Sequence, residues 1–373
     1  MFALKSLLTS LGVGNLDCRQ DGAKLDPALG RASYLFNATV EGIEKADAIL
    51  LVGTNPRVES AVLNGRIRKR WRQGTLSVGL VGEAADLTYG ADHLGTGSDT
   101  LVEIAEGKNA FSGILRQAQH PLVIVGMGAA ARPDGAAVLA LAAKIARDAS
   151  AGKEAGWNAF NILHTAAARV GGLDLGFVPA NGALDVAGMM TAASEGKLDV
   201  LYLLGADEID MNRLGSAFVI YQGSHGDAGA HRADVILPGA AYTEKDAIYV
   251  NLEGRPQMTA KAAFPPGEAR EDWTILRQLS ALIGKPLPLD SIQQLRALMV
   301  KSAPALAALD VVETADASAI DRLAARSGPL GTAPFASPVR DFYTTNPIAR
   351  ASAVMAELSA IKAGVARERA AAE

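Results

Sequence analysis

A chain of 373 residues with a single cysteine, Cys18, and a formal net charge of −4 excludes several kinds of chemistry at once. One thiol rules out an internal disulfide framework and any iron–sulfur or zinc site built from cysteines of this chain alone. The nearly balanced charge gives no basic field for nucleic acid, and no apolar run reaches the roughly eighteen residues of a spanning helix.

The length suits two to three domains. The first ten residues place Leu4, Leu7 and Leu8 at helical spacing, and Gly12 and Gly14 stop the helix. The segment lacks a charged leader and is expected to be an amphipathic helix of the first domain, not a targeting segment. A chain that opens inside a helix is also expected to have its beginning upstream. Ala48-Ile49-Leu50-Leu51-Val52 is a buried strand that ends in Gly53-Thr54-Asn55-Pro56 and passes into a helix over 58–71, one βα unit. Arg66, Arg68, Lys69, Arg70 and Arg72 make that helix basic. They form either a solvated face with cations near the helix C-terminus or a docking face for an acidic partner. Further strands are predicted over 76–81 and 121–126, with 89–97 as a loop and helices near 101–105, 110–118 and up to 149. A linker at 150–156 leads to a helix over 158–169 carrying His164, a loop over 173–188, and strands over 198–204 and 218–222.

His231 to Gln257 holds the most organised stretch. Val235-Ile236-Leu237 reads as a buried strand stopped by Pro238-Gly239, and Ile248-Tyr249-Val250 as a second strand closed by the turn Asn251 to Arg255. Such loops at the carboxyl ends of strands are where open α/β sheets hold ligands. The recurring form of apolar run, glycine and small polar residue at Gly53, Gly126 and Gly205 indicates repeated βα units of a parallel sheet. After 261 the strand signals fade into Ala/Leu helices, with a polar-aromatic loop over 335–347 and a helix over 348–370. The expected fold is therefore α/β with Rossmann-like parallel sheets and a helical C-terminal tail. It divides into a first α/β lobe (1–150), a second α/β lobe (151–260) and a mainly helical region (261–373).

Chemistry-bearing sets are few. His225, Asp227 and His231 are the one ligand-like cluster, but their spacing matches no metal pattern, and hydrogen bonding to loop backbone is the plainer role. His93, His120 and His164 are isolated. Glu244 and Glu253 have no sequence feature placing them about a substrate, and no nucleophile–base–orienter set emerges. Gly126-Met127-Gly128 is a weak echo of a dinucleotide fingerprint without the full spacing.

Three runs, DAILLVGTNPR (Asp47 to Arg57), HRADVILPGAAYTEKDAIYVNLEGRPQ (His231 to Gln257) and DFYTTNPIARASAVMAE (Asp341 to Glu357), in that order, resemble the large peripheral-arm subunit of respiratory complex I. This is the G-subunit family of bacterial NADH-quinone oxidoreductase, counterpart of the mitochondrial 75-kDa subunit. The ADVILP turn is similar throughout the molybdopterin-type oxidoreductases. The resemblance implies a molybdopterin-enzyme body that has lost its cofactor. Gly53, Thr54, Asn55, Gly205 and Pro238 would be its vestigial cradle, with no catalytic residue and no metal ligand in this chain. In the full-length family subunit, 2Fe–2S and 4Fe–4S clusters sit in an amino-terminal part to which nothing here corresponds. The chain would then be a carboxyl-terminal piece, or the clusters would sit on a separate polypeptide. The implied role is structural: docking in the arm that carries electrons from NADH to quinone, beside a cluster-bearing region and other arm subunits. There would be no catalysis by this chain alone, no nucleic acid, and indirect membrane association at the cytoplasmic face of the bacterial inner membrane (the matrix side in mitochondria). Two alternatives are a molybdopterin-dependent oxidoreductase that retains its cofactor and a free-standing nucleotide-binding protein using Gly126-Met127-Gly128.

Overall fold

A computed structural model describes residues 1–372, with side chains to residue 364. Strands β1 (Ala48–Val52), β2 (Ser77–Val81), β3 (Asp92–Gly95), β4 (Pro121–Gly126) and β5 (Phe160–Leu163) form one sheet in the order β3-β2-β1-β4-β5. All of its pairs are parallel. The central strand explains the apolar run in the sequence, because parallel sheets covered on both faces need apolar residues at every position. Ala48, Leu50 and Val52 point into one core with the helix Gly135–Ser150, while Ile49 and Leu51 point into the other with Leu63 and Ile67 of the helix Ala61–Trp71. Each Leu, Ile or Val side chain among them contributes about 1.5–3 kcal/mol on burial.

A second parallel sheet holds β6 (Val200–Leu204), β7 (Phe218–Gly223) and β8 (Val235–Pro238) in that order. A short antiparallel pair, β9 (Ile248–Val250) and β10 (Pro256–Met258), follows. Beyond it come the helices Asp272–Leu282, Ile292–Ser302, Ser318–Ala324 and Ala353–Ala372. The α/β class with Rossmann-type parallel sheets and a helical C-terminal region stands as expected from the sequence.

Four expectations change. The helix over 158–169 is replaced by β5, paired with β4 and capped at its start by Asn158, whose Oδ1 accepts the Phe160 N–H at 3.0 Å. Four residues, Phe160-Asn161-Ile162-Leu163, are too few for a period to tell strand from helix, and here both faces are covered. The sheet therefore continues past residue 150, where the first lobe was expected to end. The loop over 89–97 contains β3, a polar edge strand whose composition hides it. The segment over 173–188 is not all loop, since helices Arg169–Asp174 and Val186–Ser194 enter it from either end. Finally, Val235 and Ile236 are 38 % and 54 % exposed, because β8 is an edge strand and not a core one.

Candidate functional site

The strand ends of the five-stranded sheet form the first crevice, at the point where the order turns from β1 to β4. Gly53 leaves β1 with φ +57, and a Cβ there would meet Ala129 at 2.6 Å. Only glycine makes this turn without strain and lets β1 and β4 exits approach so closely. Thr54 is buried, and Asn55 caps the following turn, its Oδ1 accepting the Arg57 N–H at 3.2 Å. Two of the donors that would greet an anion at this place are already taken. The Glu59 carboxylate accepts from Thr54 Oγ1 and from the Asn55 N–H, both at 2.7 Å.

The C-terminal segment fills the space above. Ser337 Oγ donates to Glu59 at 2.8 Å, and the Ser337 N–H to Glu83 at 3.0 Å. The Glu83 N–H donates to Phe335 O at 3.0 Å, and the Phe335 N–H to Thr96 O at 2.8 Å. The fully buried Phe335 ring lies under the Arg132 guanidinium, 5.1 Å from its centroid, and Arg132 reaches Ala333 O at 2.6 Å. A Cβ on Gly128 would run into Ala336 O. The Gly126-Met127-Gly128 turn is thus covered by main chain, so it is not the open glycine turn that a dinucleotide needs. Glu83 carries a carboxyl held below the ordinary range by the Ser337 N–H and, after it, by Arg340.

The second crevice lies at the ends of β6 and β7. Gly205, at φ +57, donates its N–H to Gln222 O at 2.7 Å and passes the chain to Asp207 and Glu208. Here the occupant is Arg350. Its Nη2 lies 3.2 Å from Asp207, its Nη1 3.4 Å from Glu208, and its Nε donates to Asp227. Pro238, at the end of β8, is exposed, and its carbonyl accepts the Arg270 N–H at 3.0 Å. Of the expected cradle, then, Gly53, Thr54 and Asn55 shape the first crevice, Gly205 shapes the second, and Pro238 stands at the end of the edge strand. The His225, Asp227 and His231 cluster does not converge: Asp227 is ion-paired to Arg350, and His225 Nδ1 faces Ser224 Oγ at 3.0 Å. Among the described residues no group of three His, Cys, Asp or Glu is placed to hold a metal.

Two further polar groups are buried, Arg169, which the sequence did not single out, and His164, which it left as an isolated histidine. Arg169, with a side chain 1 % exposed, pairs with Asp21 at 2.8 Å. His164 follows β5, and its Nε2 lies 2.6 Å from Tyr34 O. A carbonyl can only accept, so Nε2 carries the proton and Nδ1 is left as an acceptor without a protein donor. Burial foremost, then the Arg169 charge, pushes this imidazole down to about 4. A histidine with a lowered folded pKa contributes stability that is complete above about 6.5 and is lost as the pH falls from there towards 4. On the order of 2–3 kcal/mol should disappear across that window. Denaturant midpoints between pH 6.5 and 5 should slope clearly in the native sequence and flatten in His164→Gln. Equal slopes would remove His164 as the cause. The Cys18 thiol is likewise pushed up, to about 12, by burial first of all, which leaves it protonated and unreactive near neutral pH.

A cavity of about 290 Å³ lies elsewhere, among β9 and the helices Phe2–Ser10, Asp272–Leu282 and Ile292–Ser302. Two of its polar groups, Lys245 and Asp272, are spent on each other at 2.5 Å.

Comparisons with known proteins fit this geometry. A family model for molybdopterin oxidoreductase matches residues 1–282. A second model, for the C-terminal part of the G subunit of NADH-ubiquinone oxidoreductase, matches residues 310–358, the stretch that supplies Phe335, Ser337 and Arg350. The chain is 43 % identical over 362 residues to the mitochondrial NADH dehydrogenase iron-sulfur protein 1 of Solanum tuberosum, covering 97 % of this chain and 47 % of that protein. It is 40 % identical over 359 residues to the NADH-quinone oxidoreductase G subunit of Rickettsia bellii, covering 95 % of this chain and 50 % of that protein. The chain spans about half the length of the curated relatives it matches. Among solved structures, acetylene hydratase from Pelobacter acetylenicus shares the fold, with a TM-score of 0.53 at 11 % identity over 96 % of this chain and 63 % of that one.

Proposed function

The chain belongs to the molybdopterin oxidoreductase family, in the branch of the NADH-quinone oxidoreductase G subunit, and from that premise we propose that it is a structural and docking part of the peripheral arm of proton-pumping NADH:quinone oxidoreductase. It supports electron transfer from NADH to quinone by positioning cluster-bearing neighbours, and it holds no iron–sulfur cluster through its own single cysteine. One observation carries this reading: both strand-end crevices are filled by the chain's own C-terminal residues. A pterin dinucleotide needs free N–H donors and positive charge for its phosphates. In the first crevice the Glu59 carboxylate takes the Thr54 hydroxyl and the Asn55 N–H, Glu83 takes the Ser337 N–H of the filling segment, and both carboxylates set negative charge in that place. The residues present do not fit the group that the family's name implies. No helix of the described residues is long and apolar enough to cross a membrane. We place the chain at the membrane by way of the complex, on the cytoplasmic face in bacteria.

The test is a pull-down of the tagged chain from native membranes, with metal analysis of the eluate. Iron arriving with cluster-bearing subunits supports the docking role, whereas a chain that emerges alone with molybdenum or a nucleotide ends it. The basic helix offers a finer test. Arg66 and Lys69 are paired with Glu44, and Arg70, expected among the docking charges, is instead buried and donates to Thr75 Oγ1 at 2.9 Å. Arg68 and Arg72 remain exposed. The double change Arg68→Gln and Arg72→Gln should weaken co-purification with little change in the unfolding midpoint, while Arg70→Glu should lower the midpoint itself. Undiminished recovery of partners by the double variant would discard this face as the docking surface.

A further inference from the structure

We propose that the crevice at the ends of β6 and β7 is a guanidinium-binding site, filled in cis by Arg350, and that its occupancy is what fastens the C-terminal segment to the body. The site is built from two strand ends. Asp207 and Glu208 follow β6, and Asp227 follows β7 as the N-cap of the short helix Ala228–Arg232. Arg350 meets them with each of its nitrogens: Nη2 on Asp207, Nη1 on Glu208 and on Thr344 O at 3.2 Å, and Nε on Asp227.

A planar fork with donors aimed in three directions suits three separated carboxylates, and a lysine ammonium, a single point charge, does not. The body side is more than a surface cluster of acids. The Asp207 side chain is 2 % exposed, and its Oδ2 has no hydrogen-bond partner. Burial foremost raises this carboxyl above the ordinary range, against the pull of Arg350, and the neighbouring Asp227 and Glu208 add to the rise. At Asp227 burial acts in the same upward direction, but the hydrogen bonds from Arg350 and the Ala228 N–H overcome it and hold the group low. The body therefore presents three carboxylates, of which Asp207 is deeply buried and Glu208 is exposed and also accepts from Gln20 Nε2 at 3.0 Å, and Arg350 is the cation that pairs with all three. Arg350 is itself delivered by a rigid element: Asn346 caps the turn Pro347–Arg350, its Oδ1 accepting the Ala349 N–H at 2.9 Å. The fastening holds the tail at the second crevice independently of the Phe335–Ser337 contacts at the first.

The experiment is chemical rescue in the full chain. Chymotrypsin reports on the segment by cleaving after Phe342 and Tyr343, which lie just before the clasp. In Arg350→Ala, cleavage there should accelerate on the order of tenfold, as expected when one partner of a partly buried pair is removed and the segment opens locally. Methylguanidine should slow the variant's cleavage back towards the native rate and leave the native protein unaffected, while methylammonium at equal ionic strength should change neither rate. If Arg350→Ala does not fold, Arg350→Gln carries the same test, because its shorter neutral side chain leaves the guanidinium positions vacant. Faster cleavage that methylguanidine alone corrects supports the site. Equal correction by methylammonium, or none by either ion in whichever variant folds, overturns it.

Discussion

Replacing Gly128 by valine is expected to expel the segment 335–337 from the first crevice and to cost about 2–4 kcal/mol. A side chain at 128 has nowhere to go, since its Cβ would run into Ala336 O and come within 2.6 Å of Gly53 O. Both obstacles are main-chain carbonyls, which cannot rotate away as a side chain would. Gly53 is pinned by its own close approach to Ala129, so the C-terminal segment must yield. With it go the hydrogen bonds of Ser337 to Glu59 and Glu83 and the seat of Phe335. Urea unfolding and chymotrypsin susceptibility after Phe335 should therefore shift together. Gly65 is the control. It lies within the helix Ala61–Trp71, and a methyl group there would meet open space, so Gly65→Ala should stabilise by about 0.5–1 kcal/mol through the unfolded chain. If the two variants unfold at the same midpoint, the crevice is not closed in the way described.

The second large effect is expected at Asp174. Its side chain, 2 % exposed, accepts from Arg31 through both oxygens at 2.8 Å and from the Tyr34 hydroxyl at 2.8 Å. Arg31 goes on to Gly254 O at 2.9 Å, tying the turn-rich segment before β1 to the loop that follows β9. Burial, and after it the Asp174 charge, pushes the Tyr34 phenol far up, so this hydroxyl remains a donor throughout the accessible range. Asp174→Ala strips the counter-charge from a guanidinium only 15 % exposed and should cost about 3–5 kcal/mol in urea unfolding. The paired change Asp174→Leu with Arg31→Met removes both charges and should recover most of that loss, because an apolar pair of similar volume is often as stable as a buried ion pair. A double variant no better than Asp174→Ala would show that the knot acts through its geometry and not through charge compensation.

The fold was legible where a strand is buried on both faces. The run Ala48–Val52 needed nothing but its own apolar residues, and the same holds for Pro121–Gly126 and for the glycines that end them. Legibility failed where the environment, and not the residues, decides. Phe160–Leu163 is too short for its period to be read, and Val235-Ile236 are apolar yet sit on an edge. The crevices divide in the same way. Gly53, Thr54, Asn55 and Gly205 were placed at strand ends by local pattern alone. Their occupants come from far along the chain: Ser337 is 278 residues from Glu59, and Arg350 is 143 from Asp207. No local signal marks such a pairing. The arginine in DFYTTNPIAR is one exposed-looking cation among many until the fold brings three carboxylates around it.

The way in which the first crevice is filled also shapes how this part of the sequence can change over time. A pocket that grips a cofactor constrains the chemical type of each lining residue. Here the occupying segment is gripped through main chain as well as side chains: Phe335 by its N–H, its O and its buried ring, and Ser337 by its N–H and hydroxyl, with Ala336 O close against Gly128. Main chain is common to all residues, so substitution at 336 is limited chiefly by bulk, and at 337 by bulk and one hydroxyl. The heavier constraint falls on the glycines opposite. A crevice closed in this manner tolerates change at 336 more readily than at Gly53 and Gly128, where any side chain would meet neighbouring main chain.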